Sequence, residues 1–368
     1  MTMRPNIHHV TLAWTLLFAP LLVADDLDLL LPADAQDSVH VQVLVDIPAR
    51  DNDGILCERM ASCAPPFVSR AVWRQLNAQY EDDESVTASG MFRAVVAALA
   101  LREEFLGYRF SLQVSNYQDP ALAPVAGNRG GGTVLAGYQH APGTRAGFLQ
   151  ALASLPLGQV TDGHAFQPME SMLEWLRYLR GGPVLAGRDT VGNFGMAQPQ
   201  PDYDQAVIVG NSYQAPLQRE DACPAFVSIV FTVSPALYDR DFDTLLAMAL
   251  PGFAGGGPAA LFRHLLGNEV QLSSKLGARV PLADAWVVST RADAGTAAEL
   301  AGVDRTLFVD EPIVLEQTLA AALRRAGAAP ASLSGPALHV GRSSSGGALY
   351  LPLYQPLPGG LWPGNLKK

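Results

Sequence analysis

Apolar positions along this chain recur with two periods, and the segments that carry them alternate. The run Val39-His40-Val41-Gln42-Val43-Leu44-Val45 is β-branched and apolar and stops at Asp46-Ile47-Pro48, which predicts a buried strand ending in a loop. From Ser69 to Gln79 and from Ser89 to Glu104 the apolar residues return at three- and four-residue steps, as in Met91, Val95, Ala98, Leu99 and Leu101, and both stretches read as helices. Strand patterns follow at Tyr108 to Val114 and Thr133 to Tyr138, then helical ones at Arg145 to Ser154 and Met169 to Leu179. Gly181 to Gln218 is rich in Gly, Pro, Asn and Gln and has little periodicity, so it reads as a long surface excursion within one domain. Beyond it, Phe226 to Val233 and Ala285 to Thr290 read as strands, and 242–250, 259–266, 297–302 and 314–325 as helices.

Strands that alternate with helices and are themselves nearly continuous in apolar residues predict an α/β fold. Its centre is a doubly wound, mainly parallel sheet flanked by helices, with irregular insertions and with Val39 to Val45 in the middle. A chain of 368 residues that is 49% apolar can bury a full core. The formal charge of −10 is carried with only 16% charged residues. No Lys/Arg run is longer than a pair, as at the terminal Lys367-Lys368, so the electrostatic footprint of a nucleic-acid binder is missing.

The first residues have the pattern of an export signal: Arg4, His8 and His9, an apolar run from Val10 to Val23, then Ala24 before Asp25-Asp26. The run is shorter than the roughly 20 residues of a membrane-spanning helix. Cleavage after Ala24 leaves an exported chain with no membrane span, although Leu22 is large for its place before the cleavage point and keeps an uncleaved anchor open. In an oxidising compartment Cys57 and Cys63 are close enough to close a small disulfide loop, with Cys223 either inert or competing for a partner. None of the seven histidines lies near the cysteines, which argues against zinc.

Candidate chemistry is sparse. The Gly-rich stretches at 130–132, 255–257 and 346–347 have neither the phosphate-loop Lys nor the dinucleotide spacing, and read as loops. Asp51-Asn52-Asp53-Gly54 with Glu58 has the alternating carboxylates of a calcium loop without the full ligand set, so a solvated turn is the better reading of Asp51 and Asp53. No G-x-S-x-G occurs, and His164 beside Asp162 and Gly163 is the single histidine next to an acid and a Gly turn. Acid, base and nucleophile are not gathered in any motif, and an enzyme is not expected.

The end of the chain is more specific. Leu349-Tyr350-Leu351-Pro352-Leu353-Tyr354-Gln355-Pro356 and Leu361-Trp362-Pro363-Gly364-Asn365-Leu366-Lys367-Lys368 resemble the junction, in PilY-type adhesins of type IV pili, between a von Willebrand factor A-like domain and a C-terminal β-propeller. Met172 to Gly181 is similar to that family's helix ending in Arg-Tyr-Phe and Gly. Cys223 to Thr232 resembles its Cys-led strand, which normally runs into Leu-Thr-Asp-Gly. The likeness covers residues 39 to 368. It implies a signal peptide over 1–24, an A-like domain over 25–334 with the excursion at 181–218, and a tail over 335–368 where the propeller would begin. Either a truncated or split relative or a single domain of a longer protein fits that ending.

The resemblance further implies a metal site of an Asp-x-Ser-x-Ser loop, a Thr and a second Asp, all hard oxygen ligands for a divalent ion. Here Asp46 is kept, but Pro48 and Arg50 stand where the two Ser belong. The Thr position falls near Gln167-Pro168, and the second Asp is replaced around Val233. A degenerate site that holds no metal or other cofactor is the expectation. The implied role is non-enzymatic: pilus assembly and surface adhesion, at the periplasm, cell surface and pilus tip. The partners would be minor pilins and a host or abiotic surface, met through an apolar strip that includes Tyr350, Leu353, Tyr354 and Trp362. A periplasmic scaffold that never reaches the surface is the competing role.

Overall fold

Strand β1 (Val39–Val45) is buried along its whole length, as a strand covered on both faces must be. The structure, a computed structural model, describes residues 39–46, 55–78, 85–115, 131–138, 145–155, 166–188, 203–216, 225–234, 241–250, 252–267, 269–271, 279–328, 351–354 and 364–367. After β1 come β2 (Ile55–Cys57), α1 (Arg70–Leu76), β3 (Val86–Thr87), α2 (Ala88–Leu101), β4 (Arg109–Ser115) and β5 (Gly132–Ala136). Helices α3 (Arg145–Ala153) and α4 (Pro168–Arg180) precede the small strands β6 (Ile208–Val209) and β7 (Ser212–Tyr213) and the core strand β8 (Ala225–Phe231). Then follow α5 (Asp241–Ala249), α6 (Pro258–Gly267), β9 (Glu269–Gln271), β10 (Arg279–Ser289), α7 (Ala294–Ala301), β11 (Thr306–Phe308) and α8 (Pro312–Ala328). The last described pieces are β12 (Leu351–Tyr354) and β13 (Gly364–Lys367), which pair antiparallel with each other.

The main sheet has the order β11-β10-β8-β1-β4-β5, with β9 on the first half of β10. Strand β1 pairs in parallel with β4 on one side and β8 on the other, without a register shift. β10 continues in parallel from β8, with a bulge between Leu282 and Asp284, and β11 is parallel to β10. Only β5 and β9 run against this direction. The architecture is therefore α/β, mostly parallel and helix-covered, with β1 in the interior of the sheet.

Alternation along the strands divides the core into two clusters, because successive side chains point to opposite faces. On one face Val39, Val41, Val43 and Val45 pack with Trp73 of α1, Phe92 of α2, Phe148 of α3 and Leu319 of α8. Phe92 stacks on Phe231 with ring centroids 4.8 Å apart. On the other face Leu44, Val230 and Val287 meet Leu173 of α4, Leu246 of α5, Phe262 of α6 and Leu300 of α7. That second face also carries a buried polar ladder. The Ser228 hydroxyl donates to Gln42 Oε1 at 2.8 Å. Gln42 Nε2 donates to Gln113 Oε1, also at 2.8 Å. Gln113 Nε2 then reaches the Ser171 carbonyl at 2.8 Å, and the Ser171 hydroxyl donates to the Gly131 carbonyl at 3.3 Å.

Local signals explain the helix ends. Ser69 and Thr87 accept N-cap bonds from Val72 and Gly90 at the starts of α1 and α2. Pro168 opens α4, where its missing N–H costs nothing, and Gly181 closes it in the left-handed conformation at φ 67°. The expected helix over Ser69 to Gln79 stops at Leu76, because the Asn77 side chain donates to the Trp73 carbonyl and caps it. The one expected over Ser89 to Glu104 ends at Leu101, and Arg102 turns extended before a separate 3-10 turn at Glu103–Phe105. Strand β10 is longer than its apolar run of Ala285 to Thr290, and its first residues pair with β9.

The excursion expected over 181–218 is described in two parts, 181–188 and 203–216, where most residues are exposed or half-buried. Within them Ala186, Val207 and Tyr213 are buried. The physical reason lies in α4, whose Glu174 carboxylate collects bonds from it. The segment 1–24, Asp51 and Asp53, His164, Cys223, Tyr350 and Trp362 lie outside the described residues.

Candidate functional site

The chain crosses from one half of the sheet to the other between β1 and β8, and in open α/β sheets ligands bind outside the carboxyl ends of strands at such a switch point. The pairing register places Val114, Val45, Phe231 and Val288 side by side across four parallel strands. One residue further on, each strand carries a polar residue: Ser115, Asp46, Thr232 and Ser289. Since the preceding four point into the α2/α8 face, these four share the opposite one. All are buried, with relative exposures of 0–1%.

Asp46 is the fixed point of this row. Its N–H donates to the Phe231 carbonyl at 2.9 Å, so the chain past β1 still follows β8. The Thr232 hydroxyl donates to Asp46 Oδ2 at 2.7 Å, and Ser234 N–H donates to Thr232 Oγ1 at 3.0 Å. Thr232 N–H reaches the Val288 carbonyl of β10 at 3.1 Å. One threonine thereby joins the ends of β1, β8 and β10. Further along the edge the Thr290 hydroxyl donates to Asp293 Oδ2 at 2.5 Å. The Ser115 and Ser289 hydroxyls have no hydrogen-bond partner among the described residues.

The Thr position of the resemblance, Gln167-Pro168, lies at the start of α4 with Gln167 buried. The position of the lost second Asp, around Val233, belongs to the apolar α2/α8 face. Thr232, one residue earlier, is the side chain that reaches Asp46. Parity along β8 decides between the two, and it could have been read from the sequence: Asp46, Thr232 and Ser289 are each the first polar residue after three or more apolar ones, and Ser115 keeps the parity of Gln113 and Ser111. Ser115, Thr232 and Ser289 were missed because none belongs to a recognisable ligand motif.

Chemically the row offers one carboxylate and three hydroxyls, all hard oxygen donors of the kind that suit a hard cation. The Asp46 carboxylate, however, already accepts an internal hydroxyl on Oδ2. Among the described residues no group of three or more His, Cys, Asp or Glu is placed to hold a metal.

Two further groups of candidates lie elsewhere. Cys57 and Cys63 are joined as a disulfide with their Cα atoms 6.1 Å apart. Inside the loop they close, Met60 is buried and its carbonyl accepts the Trp73 indole N–H at 2.7 Å, so the loop is tied to α1. Leu353 and Tyr354 pair across β12 and β13 with Asn365 and Gly364. No helix among the described residues is long and apolar enough to cross a membrane. The sequence matches no protein-family model, and no curated protein matches it significantly.

Proposed function

We propose that this chain is a non-enzymatic, exported binding module of the PilY type, acting in type IV pilus assembly and surface adhesion. Its A-like domain holds a metal site that has degenerated into an internal hydroxyl–carboxylate contact. The observation that carries the reading is the Thr232 to Asp46 bond at the switch point between β1 and β8. It lies where the resemblance calls for a divalent ion, on a mostly parallel, helix-covered sheet of the right general kind. A Thr hydroxyl donating to the one retained acid gives the buried carboxylate a neutral hydrogen-bond partner where the cation would have given it a counter-charge. The Trp-Pro-Gly-Asn-Leu-Lys-Lys string at 362–368 supports the pilus assignment independently of the site.

The direct test is co-purification of residues 25–368 with minor pilins and with sheared pili from the same cell. The expected result is recovery in the pilus fraction. Recovery only in the periplasm, with no pilin bound, sinks the adhesin reading and leaves the scaffold. The site is tested separately by titration calorimetry with magnesium or manganese, where no binding heat is expected. Micromolar binding that disappears in Asp46→Ala would overturn the degenerate site while leaving the pilus assignment standing.

A further inference from the structure

After Gly181 the chain doubles back over α4, and two described pieces of it, 183–188 and 203–214, hold on to each other. Val184 N–H donates to the Asn211 carbonyl at 3.0 Å and Tyr213 N–H to the Gly182 carbonyl at 2.9 Å, while Gln214 N–H closes the second piece on its own Val207 carbonyl at 2.7 Å. Pro183 bridges to Ser212, and Arg188 Nη1 donates to Asn211 Oδ1 at 3.2 Å.

The pair is fastened to α4 at one acid. Leu185 and Gly187 N–H donate to Glu174 Oε1 at 3.1 and 3.2 Å, and Ala186 N–H donates to Oε2 at 3.3 Å. The Tyr213 hydroxyl adds a bond to Oε1 at 2.6 Å. Three successive N–H groups turned to one carboxylate make the concave donor arrangement in which proteins hold anions, here filled from within. Burial pushes the Glu174 carboxyl up, against the opposing pull of the Tyr213 hydroxyl and the Leu185 and Ala186 N–H groups. A Cβ on Gly187 would meet Tyr213 Oη at 1.8 Å, so the fit leaves no room for a side chain there. Arg177, one turn on, adds an exposed bond to the Pro183 carbonyl at 2.9 Å.

What these pieces cover is the outer side of β5, the last strand of the sheet. Asp204 N–H donates to the Val134 carbonyl at 2.8 Å, and Gly137 N–H donates to Asp204 Oδ2 at 2.9 Å. A segment that is not a strand thus occupies backbone groups that would otherwise be open to another strand.

We infer that residues 183–188 and 203–214 are a strap, fastened by the Glu174 carboxylate, that guards the free edge of β5. Without the carboxylate the strap separates from α4 while the sheet stays folded. Hydrogen exchange followed by mass spectrometry on the full chain tests this in wild type, Glu174→Ala, Glu174→Gln and Tyr213→Phe, with and without added formate. In Glu174→Ala the amides of Leu185, Ala186, Gly187 and Gly137 are expected to exchange about ten- to a hundredfold faster, with β1 and β8 unchanged. Formate, filling the vacated anion cradle, slows them again. Glu174→Gln gives a smaller acceleration and Tyr213→Phe the smallest. Wild-type exchange of the strap in Glu174→Ala would mean that the packing of Tyr213, Val207 and Ala186 fastens it, and would overturn the proposal. Acceleration that formate does not reverse, or that spreads to β1 and β8 together, would overturn it as well.

Discussion

The two faces of the central sheet are built on opposite principles. Toward α2 and α8 every inward position of β1 and β8 is apolar, from Val39 to Val45 and through Val227, Ile229 and Phe231. Toward α4 the same two strands present His40, Gln42 and Ser228 between Leu44, Phe226 and Val230, all buried. The first face gains from area removed from water and tolerates small shifts. The second is bound by direction as well, since each amide of the ladder has a fixed partner and an unpaired one costs about 1–3 kcal/mol. A sheet with one forgiving and one exacting face can keep its stability on the first and its register on the second. The polar row at the carboxyl edge, which includes Asp46 and Thr232, extends the exacting face.

This contrast can be broken experimentally, and the largest effect should come from the dry side. Phe92→Ala removes the ring stacked on Phe231 and should cost about 3–5 kcal/mol in denaturant unfolding. A loss below about 1 kcal/mol would mean that this face is not the main core. Gln113→Ala leaves the Gln42 amide and the Ser171 carbonyl without their partner and should cost about 2–4 kcal/mol. The sharper form is a double-mutant cycle. Gln42→Leu and Gln113→Leu should each destabilise, and together should cost less than their sum by about 0.5–3 kcal/mol. Additive losses would show that the ladder is a set of independent contacts.

Effects shrink away from the sheet. Replacing Cys57 and Cys63 together by Ala frees a short loop and should cost about 2 kcal/mol on the loop-entropy scale, seen as a lower melting temperature in the oxidised protein only. The smallest effect is expected at the exposed Glu104, whose carboxyl the Arg324 hydrogen bond holds below the usual carboxylate range, with Arg102 adding to the pull. A lowered folded-state value means that its contribution is present above the ordinary carboxylate range and is lost as pH falls through the lowered one. Arg324→Ala should move the Glu104 titration upward in NMR and leave unfolding almost unchanged, because exposed pairs contribute little.

Much of the architecture was legible in hydrophobic period alone. β1, β4, β8 and the helices α2, α4 and α8 sit where runs of Val, Ile and Leu or three- and four-residue steps put them, because packing and propensity agree there. The parts that escaped are held by bonds between residues far apart in sequence. β2 and β3 are three and two residues long and take their form from each other. β11 exists because β10 offers it an edge. The strap reads as loop in composition, and only a buried Glu one helix away draws it in. At the candidate site Asp46 was visible as the residue that stops a strand. The hydroxyl that meets it, on Thr232, was not singled out in the sequence, where the motif pointed to Val233 as the place of a lost Asp and side-chain parity along β8 was not followed.

The central place of β1 also sets a timetable. Its neighbour β8 lies 186 residues further along the chain, measured from Gln42 to Ser228. At about 5–20 residues per second, synthesis needs on the order of ten to forty seconds to deliver that partner. Throughout this interval one long flank of Val39–Val45 has nothing native to pair with, and distant pairings of this kind are slow to form and prone to association. Whatever accompanies the nascent chain during that wait has to shield its first strand, so the yield of folded protein should depend on elongation speed and chaperone supply more than on the stability finally reached.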